Sequence, residues 1–223
     1  MYKRQEKYGA LFGTYFNRDD QGRIIHEMSQ GYPRPSLNTS RKILGFGVPP
    51  QQLGIGASFR YKDWNASFLV EGKSGAQVFS GTNVRLIGYG LHQMTVPSGG
   101  REAGFVPDGV LEDGTPITQS LDYTQQQNYW GRYNDVAEAG IYDSDYFRMR
   151  QMSVGYTFPK TMLEGTFIQS ASVSLIGKNL FFIHNSVPNV DPESAYNNSN
   201  SQGLEFAGMP VPTTVGINVN LKF

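Results

Sequence analysis

The segment Thr213–Phe223, TTVGINVNLKF, carries Thr213, Val215, Ile217, Val219, Leu221 and Phe223 at its odd positions. Its even positions carry Thr214, Gly216, Asn218, Asn220 and Lys222. Side chains of a strand alternate between faces, so one face is aliphatic and the other polar over about 11 residues, enough to cross a bilayer core at barrel tilt. A half-buried strand of a soluble sandwich also alternates, but its usual length is about 5–6 residues.

The same pattern recurs upstream. Leu53, Ile55, Ala57, Phe59 and Tyr61 alternate with Gly54, Gly56, Ser58, Arg60 and Lys62. After a tight Lys62-Asp63 turn, Trp64, Ala66, Phe68 and Val70 alternate with Asn65, Ser67, Leu69 and Glu71, where Leu69 interrupts the polar face. Met152, Val154, Tyr156 and Phe158 alternate with Gln151, Ser153, Gly155 and Thr157. Beyond the short connection from Pro159, Ala171, Val173 and Leu175 alternate with serines. A less regular strand near Tyr8 to Phe16 comes first, which makes about six strands in an all-β, antiparallel arrangement.

Connections alternate in length. Asn17 to Pro50, Gly72 to Asp145 and Asn185 to Pro212 are long; Lys62-Asp63 and Pro159 to Phe167 are short. Structureless loops beyond about 12–15 residues are uncommon in compact soluble domains, whereas outer-membrane barrels pair long outer loops with short periplasmic turns. Tyr61, Trp64, Tyr156, Phe158, Phe181, Phe182 and Phe223 sit near strand ends, where a membrane girdle needs aromatic rings. About six strands cannot close a barrel, because the smallest have about 8, so the expectation is a piece of a larger one.

Composition excludes other classes. Charged residues are 17%, Gly numbers 26, aromatics are 13% and mean hydropathy is −0.40, which suits a sheet with one wet face. Net charge is zero and no basic cluster appears, so nucleic acid is not an expected partner. The absence of Cys removes disulfides and thiolate chemistry. No signal-peptide pattern and no run of about 18 apolar residues occurs. His26, His92 and His184 lie far apart and no HExxH, GxSxG or P-loop is present, so no metal, no cofactor and no catalytic residue is expected.

The blocks YFRMRQMSVGYTFP (Tyr146–Pro159), GKNLFFIHN (Gly177–Asn185) with VDPES (Val190–Ser194), and MPVPTTVGINVNLKF (Met209–Phe223) resemble the end of SusC/RagA-type TonB-linked outer-membrane receptors. LGFGVPPQQLGIGASFRYKDWNASFLVEGKSGAQVF (Leu44–Phe79) and PDGVLEDGTPIT (Pro107–Thr118) resemble the region before it, and the blocks span almost the whole chain in order. The resemblance implies that residues 1–223 are the C-terminal part of a barrel of about 22 strands, the plug domain and signal peptide lying outside the fragment. It implies an outer-membrane transporter importing glycan or peptide fragments with a SusD-like lipoprotein, energised by TonB–ExbB–ExbD. The alternative is a secreted β-sandwich adhesin or carbohydrate-binding module.

Candidate site residues follow from these readings. Ile217, Val219, Leu221 and Phe223 would be the signal read by the barrel-assembly machinery, since an apolar edge strand ending in an aromatic offers free backbone groups. Tyr129, Trp130 and Tyr133, with Tyr123, cluster among Gln125, Gln126, Gln127 and Asn128; aromatic faces with amides suit oligosaccharide stacking, and equally suit packing within the loop. Asp191 and Glu193 lie in a loop without EF-hand spacing and are expected to be solvated, as are Asp108, Glu112, Asp113, Asp143 and Asp145. The sequons at Asn38, Asn65 and Asn197 carry little meaning in a bacterial setting.

Overall fold

A computed structural model describes residues 8–194 and 202–223, so the sequon at Asn197 lies outside the described residues. In chain order the elements are β1 (Ala10–Phe16), β2 (Ile25–Ser29), β3 (Tyr32–Pro35), β4 (Leu37–Phe46), β5 (Gln51–Tyr61), β6 (Trp64–Ser74), β7 (Gln77–Ser80), α1 (Gly81–Gly88) and β8 (Val110–Leu111). They continue with α2 (Tyr123–Gly131), β9 (Ile141–Asp143), β10 (Tyr146–Thr157), α3 (Lys160–Leu163), β11 (Ser170–Lys178), β12 (Phe182–Asn185), β13 (Leu204–Glu205) and β14 (Thr214–Lys222).

The long strands form one antiparallel sheet in the order β14-β11-β10-β6-β5, with β12 carrying on along β10 where β11 ends. Directly opposed residues of an antiparallel pair share a face. One transverse row is therefore Phe59, Ala66, Val154, Leu175 and Ile217, and the next is Tyr61, Trp64, Tyr156, Val173 and Val219. The opposite face carries rows such as Arg60, Asn65, Gly155, Ser174 and Asn218. Its Ser67 and Ser153 hydroxyls hydrogen-bond at 2.8 Å. Each strand's local alternation thus merges into one apolar and one polar surface, interrupted on the polar side by Leu69 and Ile176. Lys62 closes the β5–β6 hairpin with φ of 52°, the left-handed backbone that two-residue turns use.

The long connections between strands of this sheet leave and return at one end, and the chain enters β5 at that same end, since Gln51 pairs with Ser74, Tyr146 with Asn185, and Lys178 with Thr214. There they fold together into a cap. β2 pairs with β3 and, in parallel, with β8; β7 pairs with β9 and, in parallel, with β13. Strands from different connections are thereby locked to one another. The cap owns the main hydrophobic core: Phe16, Tyr32, Ile87, Leu121, Tyr129, Trp130, Tyr133 and Val136. Its two short helices are pinned by their starts. Ser80 caps α1, and Asp122 with Gln125 forms a reciprocal capping box on α2. Helices this short are marginal alone, so packing against the core sustains them.

Two expectations need correction. The main sheet does contain six strands, but β1 is not among them; β12 takes that place. β1 pairs with β4, a ten-residue strand inside what reads as a long loop, and the pair packs into the cap. Thr14 Oγ1 donates to the Asp135 carbonyl at 2.9 Å, and the Phe16 amide donates to Glu138 at 3.0 Å. The other correction concerns the loops, which fold into secondary structure, although Asp108, Glu112, Asp113 and Asp143 on them are exposed as expected.

Candidate functional site

The apolar face of the main sheet is uncovered. Ile217 is 74% exposed and Phe59 63%, whereas core residues of the cap such as Ile87 and Leu121 are at 0%. β5 spans 11 residues. At about 3.3 Å per residue and a tilt of about 45°, a strand that long rises about 25 Å, the height of the apolar band on outer-membrane barrels. Aromatic rings gather at the end away from the cap: Trp64 meets Tyr156 at 5.0 Å, Tyr156 meets Phe158 at 5.3 Å, and Phe167 stacks on Phe223 at 5.6 Å. Val219, Leu221 and Phe223 are exposed with Ile217, and among the described residues β14 pairs with β11 alone, which leaves its other backbone edge open there.

Where the polar face meets the cap, an ion network ties the last connection down. Register slips between Met149 and Gln151, which makes Arg150 an inserted residue relative to β6. Arg148 and Arg150, two positions apart along β10, reach the same carboxylate. Arg148 lies 2.5 Å from Glu193 and 3.1 Å from Asp191; Arg150 lies 2.5 Å from Glu193 and 2.7 Å from Glu71. The Tyr146 hydroxyl donates to Glu193 at 2.7 Å, and Asp191 accepts from the amides of Glu193 and Val211. Burial alone would push the Glu193 carboxyl up; hydrogen bonds from Arg150, Tyr146 and Arg148 outweigh it and hold the group at about 2. Asp191 and Glu193 are therefore not solvated, contrary to expectation. The paired arginines of YFRMRQ beside the acids of VDPES were the available signal.

The aromatic trio is brought together, but as core. Tyr129 and Trp130 rings meet edge-on at 5.0 Å, Trp130 and Tyr133 at 5.0 Å, and His26 stacks on Tyr129 with its Nε2 3.2 Å from the hydroxyl. Tyr129 and Tyr133 offer no open ring face for a ligand, which corrects that half of the stacking expectation. A second buried anchor, Glu205, accepts from Ser80 and Thr82, each at 2.6 Å, and fastens the last connection to the start of α1. Among the described residues no three His, Asp or Glu side chains gather where they could hold a metal ion, and no helix is long and apolar enough to cross a membrane.

Comparison with known proteins agrees with this geometry. No family model matches the chain. "TonB-dependent receptor P3" from Formosa agariphila is 25% identical over 189 residues, covering 82% of this chain. The likeness to a TonB-dependent receptor thus runs along most of this chain. Among solved structures, the RagAB peptide importer in its "closed-closed" state superposes with a TM-score of 0.59 at 12% identity, covering 96% of the chain. Its "open-open" state gives 0.57 at 14%. The chain spans 17% of the Formosa receptor and 23% of the matched importer chain, so it shares the fold of one part of a larger protein.

Proposed function

We propose that the chain is the C-terminal barrel segment of an outer-membrane TonB-dependent transporter that imports oligosaccharide or peptide fragments. The observation that carries this reading is the uncovered apolar face, continuous across five strand columns, with all long connections folded at one end. Water would not tolerate so wide an apolar surface on a monomer, but lipid is its natural solvent, and the polar face would line the lumen. A sandwich adhesin would need a second sheet over that face, and none of the described elements covers it. In this reading the cap lies outside the cell against a SusD-like lipoprotein. TonB–ExbB–ExbD act through other parts of the receptor, and Ile217, Val219, Leu221 and Phe223 present the edge that the barrel-assembly machinery pairs with.

Because the chain has no Cys, single cysteines give a clean test. In intact outer membranes Ile217→Cys should react with a lipid-phase maleimide, and the neighbouring Asn218→Cys with a water-soluble one. Equal aqueous labelling of both would defeat the membrane assignment.

A further inference from the structure

The cap holds a cleft of about 320 Å³ that none of the roles above uses. This is at the small end of the range of about 300–1,000 Å³ for ligand pockets. Its wall is one side of α2, where Tyr123, Gln126, Gln127 and Trp130 follow one another at helical spacing, and its floor is the Gly88–Gly90 exit of α1. Two features set it apart from ordinary loop packing. The rings of Tyr89 and Tyr123 are 71% and 79% exposed, so two broad aromatic surfaces border it without being used in the core. And Trp130, itself 6% exposed, has an indole Nε1–H that is buried with no hydrogen-bond partner. A buried donor left unpaired is costly, and a ligand oxygen would relieve it.

We propose that this cleft is a sugar-binding subsite, in which a ring of an oligosaccharide stacks on Tyr123 or Tyr89 and accepts the Trp130 N–H. The chemistry of the lining favours a glycan over a peptide. No carboxylate faces the cleft to meet a peptide amine, and no aliphatic wall is there to receive its side chains. The amides of Gln126 and Gln127 both give and accept hydrogen bonds, as sugar hydroxyls require, and Gln126 is held in place by donating to the Leu121 carbonyl at 3.0 Å. Arg101 is the one charged residue of the lining and would accept an acidic sugar as readily as a neutral one. Trp130 thus keeps a ligand role that its buried neighbours Tyr129 and Tyr133 lose. The proposal rests on the uptake reading and narrows its substrate class.

The test uses the complete receptor that carries this chain, purified in detergent, with heat-modifiable gel migration recorded separately as the sign of a folded barrel. Cellotetraose, tetragalacturonate and tetra-alanine are titrated in turn by calorimetry. One oligosaccharide should bind, and Tyr123→Ala should weaken it about tenfold. Trp130→Phe keeps the ring in the core and should cost about as much, through loss of the N–H alone. The proposal is overturned if neither oligosaccharide binds, if both variants bind as tightly as the parent, or if tetra-alanine is the ligand those variants lose. A receptor that is not heat-modifiable would defeat the membrane reading and this subsite with it.

Discussion

The sheet and the cap put hydrophobic residues to opposite uses. In the sheet Phe59, Ile217 and Val219 stand open; in the cap Ile87, Leu121 and Val136 are sealed. The sheet's order comes from backbone pairing between strands and its apolar side chains await an outside solvent. The cap makes its own interior, from pieces more than 100 residues apart, as when Thr14 meets Asp135 or His26 meets Tyr129. A core assembled from such distant pieces is sealed architecture placed at the end of a sheet whose apolar face is uncovered.

Four tests would break or sharpen that contrast. Leu121→Ala empties fully buried space in the cap and should cost about 2–5 kcal/mol there. Limited proteolysis should then cut the cap while the sheet keeps its heat-modifiable migration; a simultaneous loss of both would show one cooperative unit. Val154→Arg puts a charge in the middle of the apolar face and should cost about 2–4 kcal/mol in lipid, measured by denaturant refolding into detergent or bilayer. The same change at Ser153, on the polar face, should be far milder, and a Ser153→Arg cost as large as that at Val154 would mean the faces are misassigned.

The third concerns the joint between the two regions. The Glu193 carboxyl is held at about 2, below its usual 4.5, so its contribution is complete above about 4.5 and is lost as pH falls toward 2. Glu193→Gln should remove about 1.5–3 kcal/mol at neutral pH and flatten the acid-side release of the last connection, followed by amide exchange near Val211. An unchanged acid profile would show that the network does not hold that segment. The smallest effect is expected for Asp122→Ala, which deletes the α2 capping box and should cost about 1 kcal/mol, visible as faster exchange in the first turn of α2.

Much of the sheet was legible beforehand because its rule is local. Apolar residues at every second position of 53–61, 64–70, 152–156 and 213–223 do share one face, and the turn at Lys62-Asp63 lies where the alternation placed it. The cap was not legible, because its rule is not local. β4 reads LNTSRKILGF, with Arg41 and Lys42 side by side and no clean period, and it is a strand because β1 pairs with it. Tyr129 and Trp130 looked alike in sequence, and only the fold separates a ring sealed inside from one whose edge borders a cleft. Charge pairing across 43 residues, as between Arg150 and Glu193, leaves a trace in sequence only as unmatched charges in two separate blocks.

The inserted residue of β10 has a consequence for how this segment can vary. Loss of one amino acid from a strand normally inverts every side chain beyond it. Arg150 is the exception, since Met149 already faces Val70 and Gln151 already faces Leu69. Its removal would close the ladder to β6 with the other residues of that ladder on their present sides; the Asn179 amide would lose the Arg150 carbonyl as acceptor, and Glu71, Glu193 and the Asn179 side chain would lose a donor. Pairing with β6 therefore gives no reason to retain this position; the ion pairs of its guanidinium with Glu71 and Glu193 do. A deletion here would separate the work of one guanidinium from the integrity of the wall that carries it.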